Sequence, residues 1–370
     1  MKIKDIKRDC IHFLGYIPCK PHKDFGVHCI EKNRIICKYY IKNKIRILII
    51  KLGAAGDVIR TTPLLYPLRK KYSNSHLTWI TDFPDLVPSR RDNEVGADVV
   101  LPFNEKSLLI IKNSVYDVII NLDKDLHACS IIKGKDSVKE KFGYTLKNNK
   151  PYPVNDLAIH KFMTGIFDDI SKANKKSYLE EIFKICGFEY KKEEYILPNF
   201  ENDINFDIDK TKKVVGLNTG CGGRWTSRLW PFNYWLELID LLKANNYEIV
   251  LLGGPEEHEK NLEFQSKTNV KYFGVQPLKK FIGLMNQVDI VVTAVTMAMH
   301  IAIGLKKQLV LLNNIFNKNE FELYGRGIII EPEKVCKCYF RPTCINEEYR
   351  CIEYIYPEKV FEAVISVSKK

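Results

Sequence analysis

The chain has 370 residues, of which 45% are hydrophobic and 28% are charged. This composition is typical of a folded globular protein and excludes a disordered, fibrous or small disulfide-stapled chain. The formal net charge is +12, which indicates an anionic partner such as a nucleotide, a phosphorylated substrate, an acidic membrane surface or nucleic acid. The length is comfortable for two domains, and no apolar run reaches the roughly 18–20 residues of a membrane-spanning helix.

The first 46 residues hold most of the net positive charge. They contain twelve lysines and arginines against four acidic residues, a net charge of +8. The apolar stretch at 11–17 is short, includes His12 and lacks a small-residue cleavage site, so it does not indicate a secretory signal. We therefore expect a cytoplasmic protein whose 11 cysteines are thiols or metal ligands rather than disulfides.

Strand and helix patterns alternate after this extension. The apolar run at 45–51 predicts a buried strand, and a glycine turn and a helix over 58–72 follow it. Further strands are predicted at 77–81, 97–101 and 116–121. Strands separated by helical lengths indicate a parallel sheet covered on both faces.

The same pattern begins again after a polar, acid-rich stretch that contains Pro198. Strands are predicted at 213–218, 248–253, 270–273, 289–293 and 308–313, with helices over 232–245, 277–286 and 297–304. We therefore predict two Rossmann-like domains that face each other across a cleft. The predicted organisation is a basic Cys-rich extension (1–44), an N-terminal Rossmann-like domain (45–190), a linker (191–212), a C-terminal Rossmann-like domain (213–335), and a Cys-rich loop with a C-terminal helix (336–370).

An acidic residue follows the first glycine turn. The turn reads Gly53-Ala54-Ala55-Gly56-Asp57, which departs from the G-x-G-x-x-G pattern of dinucleotide-binding proteins. Because Asp57 would repel a pyrophosphate, it suggests a carboxylate that takes a proton from a hydroxyl. The alternative is that Asp57 caps the helix.

Three segments of the second half carry groups suited to a nucleotide. The loop at 216–224 combines glycines with Asn218 and Thr219, and Arg224 and Arg228 add positive charge suited to phosphate oxygens. Glu256 and Glu257 follow a strand and either hold ribose hydroxyls or are surface charges at a helix start. The amides at 296–299 and His300 either face a diphosphate or are structural.

These motifs together resemble glycosyltransferase family 9, the ADP-heptose:lipopolysaccharide heptosyltransferases. The resemblance rests on IRILIIKLGAAGDVIRTTPLL, GLNTGCGGRWTSRLWP, LLGGPEE and TMAMHIA, in this order over about residues 45–365. It implies a GT-B fold, with the acceptor bound by the N-terminal domain and the donor by the C-terminal domain. It further implies that heptose, or a related sugar, is transferred from a nucleotide sugar with inversion of configuration and without a metal. The expected donor is ADP-heptose. The acceptor would be a hydroxyl of lipopolysaccharide core, another glycan or a protein.

The resemblance also implies roles for individual residues. Asp57 matches the general base. Beside it, Gly56 is assigned to acceptor binding, and Arg60 either holds an acceptor phosphate or is a surface arginine. The donor-binding residues are predicted to be Asn218, Thr219, Gly220, Arg224, Arg228, Glu256, Glu257, Thr296, Met297 and His300.

One position departs from the family pattern. Val295 stands where the family has an acidic residue just before the threonine, and valine cannot accept a hydrogen bond from a sugar hydroxyl. Either donor preference has changed, or another group substitutes, or activity is weak. The alternative function is a non-catalytic nucleotide-sugar-binding or scaffolding homologue.

Cysteines close together near the C-terminus suggest a metal. Cys336, Cys338, Cys344 and Cys351 fall within sixteen residues, which predicts a structural Zn or Fe site, the alternative being four independent thiols. The looser N-terminal set could bind a second ion or contribute to a shared site; it consists of Cys10, Cys19, His22, His28, Cys29 and Cys37. Such segments resemble those of iron-binding protein heptosyltransferases within the family.

The expected partners follow from these motifs and from the charge. They are a nucleotide-sugar donor and a lipopolysaccharide-core, glycan or protein acceptor, and no cofactor is expected for catalysis. The charge of the extension suggests a peripheral contact with the inner membrane, an anionic acceptor or a subunit contact in a homo-oligomer. No nucleic acid is expected, because the basic and aromatic residues follow no recognised nucleic-acid-binding module.

Overall fold

The structure is a computed structural model that describes residues 3–29, 37–135 and 137–369. The chain forms two compact units. The first unit consists of Met1–Leu52 and Leu64–Asn155, and the second consists of Gly53–Pro63 and Asp156–Lys370. Two segments expected in the first domain, residues 53–63 and 156–190, therefore pack in the second unit.

Twelve strands are formed by the described residues. In chain order they are β1 (Ile45–Ile50), β2 (Ser75–Thr81), β3 (Val99–Pro102), β4 (Val118–Asn121), β5 (Glu140–Lys147), β6 (Lys150–Pro153), β7 (Val214–Asn218), β8 (Glu248–Leu252), β9 (Lys271–Tyr272), β10 (Ile290–Ala294), β11 (Gln308–Leu312) and β12 (Gly327–Ile330).

The described residues also form α-helices along the whole chain. In chain order they are α1 (Lys20–Phe25), α2 (Ala55–Thr61), α3 (Leu65–Lys71), α4 (Glu105–Asn113), α5 (Leu126–Ile132), α6 (Ile159–Thr164), α7 (Asp168–Ala173), α8 (Tyr178–Ile185), α9 (Phe232–Ala244), α10 (His258–Thr268), α11 (Leu278–Asn286), α12 (Met297–Gly304) and α13 (Pro357–Ser368). No helix of the described residues is long and apolar enough to cross a membrane.

Each unit is built around one six-stranded sheet. The first sheet has the order β3-β2-β1-β4-β5-β6, and the second has the order β12-β11-β10-β7-β8-β9. All strand pairs are parallel except β5 with β6. Within each unit this is the strand order 3-2-1-4-5-6 of a dinucleotide-binding fold, which confirms the predicted α/β class.

The apolar runs of the sequence become the buried central strands. Residues 47–50 of β1 are fully buried, as are most residues of β7 and β10. Parallel strands have both faces covered by helices and so read as continuous rather than alternating apolar runs. In the second unit, helices α9 and α13 supply apolar side chains to the same core cluster as the sheet.

The helix predicted over 58–72 is not continuous. The structure has α2, then a 3-10 turn at Thr62–Leu64, then α3. Pro63 lies in this turn, and proline lacks the N–H that would continue the α-helical hydrogen bonds. The interruption coincides with the boundary between the two units.

A buried ion pair lies at the carboxyl ends of β1 and β4 in the first unit. Lys51 and Asp123 are 3% and 9% exposed and are joined by an ion pair between Nζ and Oδ1. The other carboxylate oxygen of Asp123 accepts the backbone N–H of Leu52. Removing one member of such a pair leaves an uncompensated buried charge.

We expect Asp123→Ala to lower the free energy of unfolding by about 3–5 kcal/mol, because Lys51 would remain buried without its carboxylate. Urea denaturation of the full chain measures this loss. The double replacement Lys51→Met with Asp123→Leu should recover most of the loss, since it removes both charges together. A single Asp123→Ala variant as stable as the wild type would contradict the assignment.

Candidate functional site

The second sheet brings two predicted loops together where its strand order reverses, between β7 and β10. Asn218 ends β7, and its side-chain amide donates to the Gly220 carbonyl (3.1 Å), to Thr293 Oγ1 (3.1 Å) and to Thr296 Oγ1 (3.4 Å). Thr296 is also the N-cap of α12. Ligands of such sheets bind beyond the carboxyl ends of the strands at this point, so these loops form the candidate site.

A buried arginine lies beside the loop after β7. Arg228 is 7% exposed, and its guanidinium carbon is 5.4 Å from the ring centroids of Trp225 and Phe316. Its Nη2 donates to the Cys221 carbonyl at 3.3 Å. Burial lowers the pKa of Arg228 to about 10. Within the described part of the chain no carboxylate forms an ion pair with Arg228, and its Nε is buried without a hydrogen-bond partner.

The sequence did not single out Lys260, which adds a second cation here. Its Nζ donates to the Thr219 carbonyl at 2.7 Å, and burial lowers its pKa. The Thr219 hydroxyl donates to Asn261 Oδ1, also at 2.7 Å. Lys260 and Asn261 lie on α10, three and four residues after Glu257. Residues at this spacing share one face of a helix, and the sequence could have indicated them in this way.

The two predicted glutamates lie against the same loop. Glu257 accepts the backbone N–H of Gly254 (2.9 Å) and of Gly222 (3.4 Å). A Cβ on Gly220 would lie 1.9 Å from Glu257 Oε1, so a larger residue there would displace the glutamate side chain. Glu256 lies less close to the loop: a Cβ on Gly223 would be 3.3–3.4 Å from its carboxylate oxygens.

The predicted base lies on a helix that packs closely against α12. Asp57 is the third residue of α2, and its side chain is 33% exposed. Ala54 is the N-cap, so Asp57 does not have the capping position. A Cβ on Gly56 would lie 2.3 Å from His300 Cδ2. Gly56 is thus needed for the close approach of α2 to α12.

Arg60 is held by several groups of the second unit. It forms an ion pair with Asp57 at 2.8 Å, approaches Glu320 at 4.0 Å, and lies 3.5 Å over the ring of Tyr178. Although burial opposes it, the net effect of these neighbours is to raise the pKa of Arg60. Its side chain is only 12% exposed, so it is no freely solvated surface arginine.

The charges continue beyond Arg60. Glu320 accepts from Lys161 at 3.1 Å, and Lys161 bonds to the buried Glu181 at 2.8 Å. Sequence reasoning missed these three residues, because they lie on separate helical segments and carry no motif. The alternating charges thus run from Glu181 through Lys161 and Glu320 to Arg60. Arg60 in turn forms the ion pair with Asp57.

His300 is buried and neutral. Burial, followed by the nearby charge of Arg60, lowers the pKa of His300 to about 3, against the weaker opposing effect of Asp57. Its Nδ1 is buried without a hydrogen-bond partner in the described structure. His300 therefore adds no positive charge to the candidate site.

We expect this burial to make stability depend on pH. An unfolded histidine takes up a proton below its ordinary pKa of 6.5, whereas folded His300 does so only near 3. The free energy of unfolding should therefore fall with decreasing pH between about 6.5 and 3, with a slope of about 1.4 kcal/mol per pH unit from this one group. Denaturant titrations of the wild type and His300→Gln at several pH values measure it, and an equal slope in both would contradict the prediction.

The C-terminal cysteines lie close together in the second unit. The thiols of Cys338 and Cys344 are 3.5 Å apart, and the Cys338 and Ile345 backbone N–H groups donate to cysteine sulfurs. A hydrogen bond between Cys336 and Cys351 lowers the pKa of Cys351 to about 6 and raises that of Cys336. Among the described residues, however, no group of three or more His, Cys, Asp or Glu is arranged to hold a metal ion.

The chain matches the model of a known protein family. A family model described as glycosyltransferase family 9 (heptosyltransferase) matches residues 110–349. The chain belongs to glycosyltransferase family 9. The matched range includes the loops after β7, β8 and β10, but it does not include Asp57.

Solved structures of glycosyltransferases share the fold. A family 9 glycosyltransferase from Veillonella parvula DSM 2008 is 17% identical over 88% of this chain and 97% of that chain, with a TM-score of 0.65. ADP-heptose LPS heptosyltransferase II of E. coli is 15% identical over 87% and 98%, with a TM-score of 0.59. TibC, an iron-containing dodecameric glycosyltransferase of enterotoxigenic E. coli H10407, is 11% identical over 89% and 77%, with a TM-score of 0.55.

At these identities the likeness concerns the fold, and it confirms the predicted GT-B class. The family match and this likeness together make the chain a heptosyltransferase-like glycosyltransferase of family 9. A search of curated protein sequences gives no match.

Proposed function

We propose that this glycosyltransferase transfers heptose, or a related sugar, from ADP-heptose to a hydroxyl of lipopolysaccharide core, another glycan or a protein. The observation that carries the proposal is Arg228, a buried cation beside a glycine loop at the reversal of the strand order. Two solved structures similar to this chain, E. coli WaaC and TibC, hold ADP-2-deoxy-2-fluoro heptose and ADP-D-beta-D-heptose. Their ligands supply the identity of the proposed donor.

The donor diphosphate would lie against the loops after β7 and β10. Arg228 and Lys260 supply positive charge, Arg224 adds charge from the exposed part of the loop, and the amides at Thr219–Gly220 and at the start of α12 supply hydrogen bonds. Glu256 and Glu257 are proposed to accept hydrogen bonds from the ribose. Groups preorganised around a developing negative charge are typically worth about 3–4 kcal/mol each.

The chemical step is proposed to be a single in-line displacement. The acceptor oxygen attacks the anomeric carbon while the bond from that carbon to the diphosphate oxygen breaks, so the configuration inverts. Asp57 takes the proton of the acceptor hydroxyl. The leaving diphosphate keeps the electron pair of the broken bond, and Arg228 and Lys260 stabilise its charge. His300, being neutral, contributes a hydrogen bond only.

Arg60 is proposed to act through Asp57. Since Arg60 bonds to Asp57 and stacks on Tyr178, it holds the carboxylate in one orientation. Gly56 and Arg60 are proposed to lie on the acceptor side of the site, where Arg60, one helical turn after Asp57, has a phosphate of the acceptor as its candidate ligand. A homo-oligomer and a peripheral contact of the basic extension with the inner membrane complete the proposal; of the similar structures, TibC is dodecameric.

The C-terminal cysteines are proposed to hold a structural Zn or Fe ion. Backbone N–H groups that donate to sulfur favour thiolates, which are the form that binds these metals. Elemental analysis of the purified protein tests this proposal against a variant with serine at Cys336, Cys338, Cys344 and Cys351. We expect the variant to lose about one metal per chain, and equal metal content in both would contradict the site.

The donor is tested by thermal shift. We expect ADP-heptose to raise the melting temperature and UDP- or GDP-sugars not to do so, because a ligand that binds only the folded state stabilises it. Stabilisation by a UDP-sugar alone would contradict the proposed donor. Donor binding without transfer to any acceptor would instead favour the non-catalytic homologue, and Val295→Asp would then be the variant expected to restore transfer.

A further inference from the structure

The basic extension folds around a small pocket lined by cysteines. All four cysteines of this segment, Cys10, Cys19, Cys29 and Cys37, line the pocket, and the rest of its wall is mostly apolar or aromatic. The enclosed space is close to that of a single water molecule. Four cysteines that are spread over the extension in sequence thus line the same pocket in the first unit.

The backbone holds these cysteines in place. Cys10, Cys19 and Cys37 each begin a turn, in which their carbonyls accept N–H groups three or four residues later at 2.8–3.0 Å. The Cys29 carbonyl accepts the N–H of Lys7 at 2.9 Å, and Cys10 forms an antiparallel bridge with Lys42. Three separate stretches of chain are therefore tied together at the cysteines.

Hydrophobic burial contributes little to this segment. Within residues 3–29 and 37–44 only Cys10, Ile11 and Pro21 are buried, while Tyr16 and Phe25 are exposed. Segments of this size without a core usually need a disulfide or a metal to hold them. All four cysteines are free thiols in the structure.

We propose that Cys10, Cys19, Cys29 and Cys37 bind one divalent thiophilic metal ion, zinc or iron, which holds the separate stretches of the basic extension together. Binding releases four thiol protons and forms four metal–sulfur bonds, leaving a centre of charge −2 with no change of oxidation state. The net charge of +8 in residues 1–46 favours such a centre, because nearby lysines and arginines stabilise thiolates. This site is separate from the C-terminal cysteines of the second unit and does not depend on the proposed reaction.

The thiols must turn inward to reach the ion. As they stand, the described residues contain no group of three or more His, Cys, Asp or Glu arranged to hold a metal, and tetrahedral zinc needs each sulfur at about 2.3 Å.

The test is the metal content of the full chain, purified under reducing conditions without chelator. We compare the wild type with a variant that carries Cys10→Ser, Cys19→Ser, Cys29→Ser and Cys37→Ser. The matched control is Cys129→Ser, a buried cysteine of the same unit outside the pocket. The four-serine variant should contain about one zinc or iron fewer per chain than either of the others, and equal content in all three proteins would overturn the proposal.

A second measurement covers the case in which the four-serine variant fails to fold. Native wild-type protein is alkylated with and without a strong chelator, and modified cysteines are identified by mass spectrometry. We expect the four N-terminal thiols to be protected until the chelator is added, with tryptic cleavage within the extension rising at the same time. Immediate alkylation without chelator would overturn the metal site, and so would recovery of these cysteines as disulfides.

Discussion

Asp57→Asn should lower kcat by between about a hundred- and ten-thousand-fold while leaving the dissociation constant of the donor nearly unchanged. Asparagine keeps the size of the side chain and can still bond to Arg60, but it cannot take the proton of an acceptor hydroxyl. The proposed donor-binding groups lie on the loops after β7, β8 and β10 and do not include Asp57. The loss should therefore appear in turnover and not in binding.

A steady-state assay with ADP-heptose, combined with titration calorimetry of the donor, separates these two effects. Asp169→Asn is the matched control: Asp169 is an exposed acidic residue in the first turn of α7, in the same unit, and its replacement should leave kcat unchanged. Wild-type turnover by Asp57→Asn would remove Asp57 from its role as base. A loss of donor binding equal to the loss of turnover would place Asp57 among the donor contacts instead.

The central strands could be predicted because burial on both faces makes them continuous apolar runs. The predicted strands at 45–51 and 308–313 match β1 and β11 to within one residue. Strand β5 was missed because charged residues occupy both of its ends. Strand β6 was missed because two of its four residues are prolines, which are tolerated in a strand at the sheet edge. The break between α2 and α3 at Pro63 was missed because the apolar pattern continues through it.

The candidate site could be predicted only where a general rule of parallel sheets applies. Polar residues directly after parallel strands meet at one sheet edge, and Asn218 and Thr296 do so. Contacts between distant segments have no such rule. Glu320, Lys161 and Tyr178 surround Arg60, but nothing in their local sequence relates them to Asp57. For His300 the sequence indicated a place in the site, and only its burial shows that it is neutral.

Arg228→Met should have opposite effects on activity and on stability. Donor-dependent kcat/KM should fall by about a hundred- to a thousand-fold, because a preorganised positive charge at the diphosphate is lost. The free energy of unfolding without ligand should rise by about 1–2 kcal/mol, since a buried cation with no carboxylate ion pair in the described structure is replaced by an apolar side chain of similar length. Urea denaturation and steady-state kinetics on the same preparations measure both.

Arg69→Met in the first unit provides the contrast. The side chain of Arg69 is also only 11% exposed, but it bonds to Asp98 at 2.9 Å and to the Ser75 carbonyl at 2.9 Å, so its replacement should destabilise the protein by leaving partly buried acceptors short of a donor. A buried cation without an ion pair lowers the free energy of unfolding, and a bound anion offsets that loss. If Arg228→Met proves as destabilising as Arg69→Met, then Arg228 is a structural arginine and the donor diphosphate lies elsewhere.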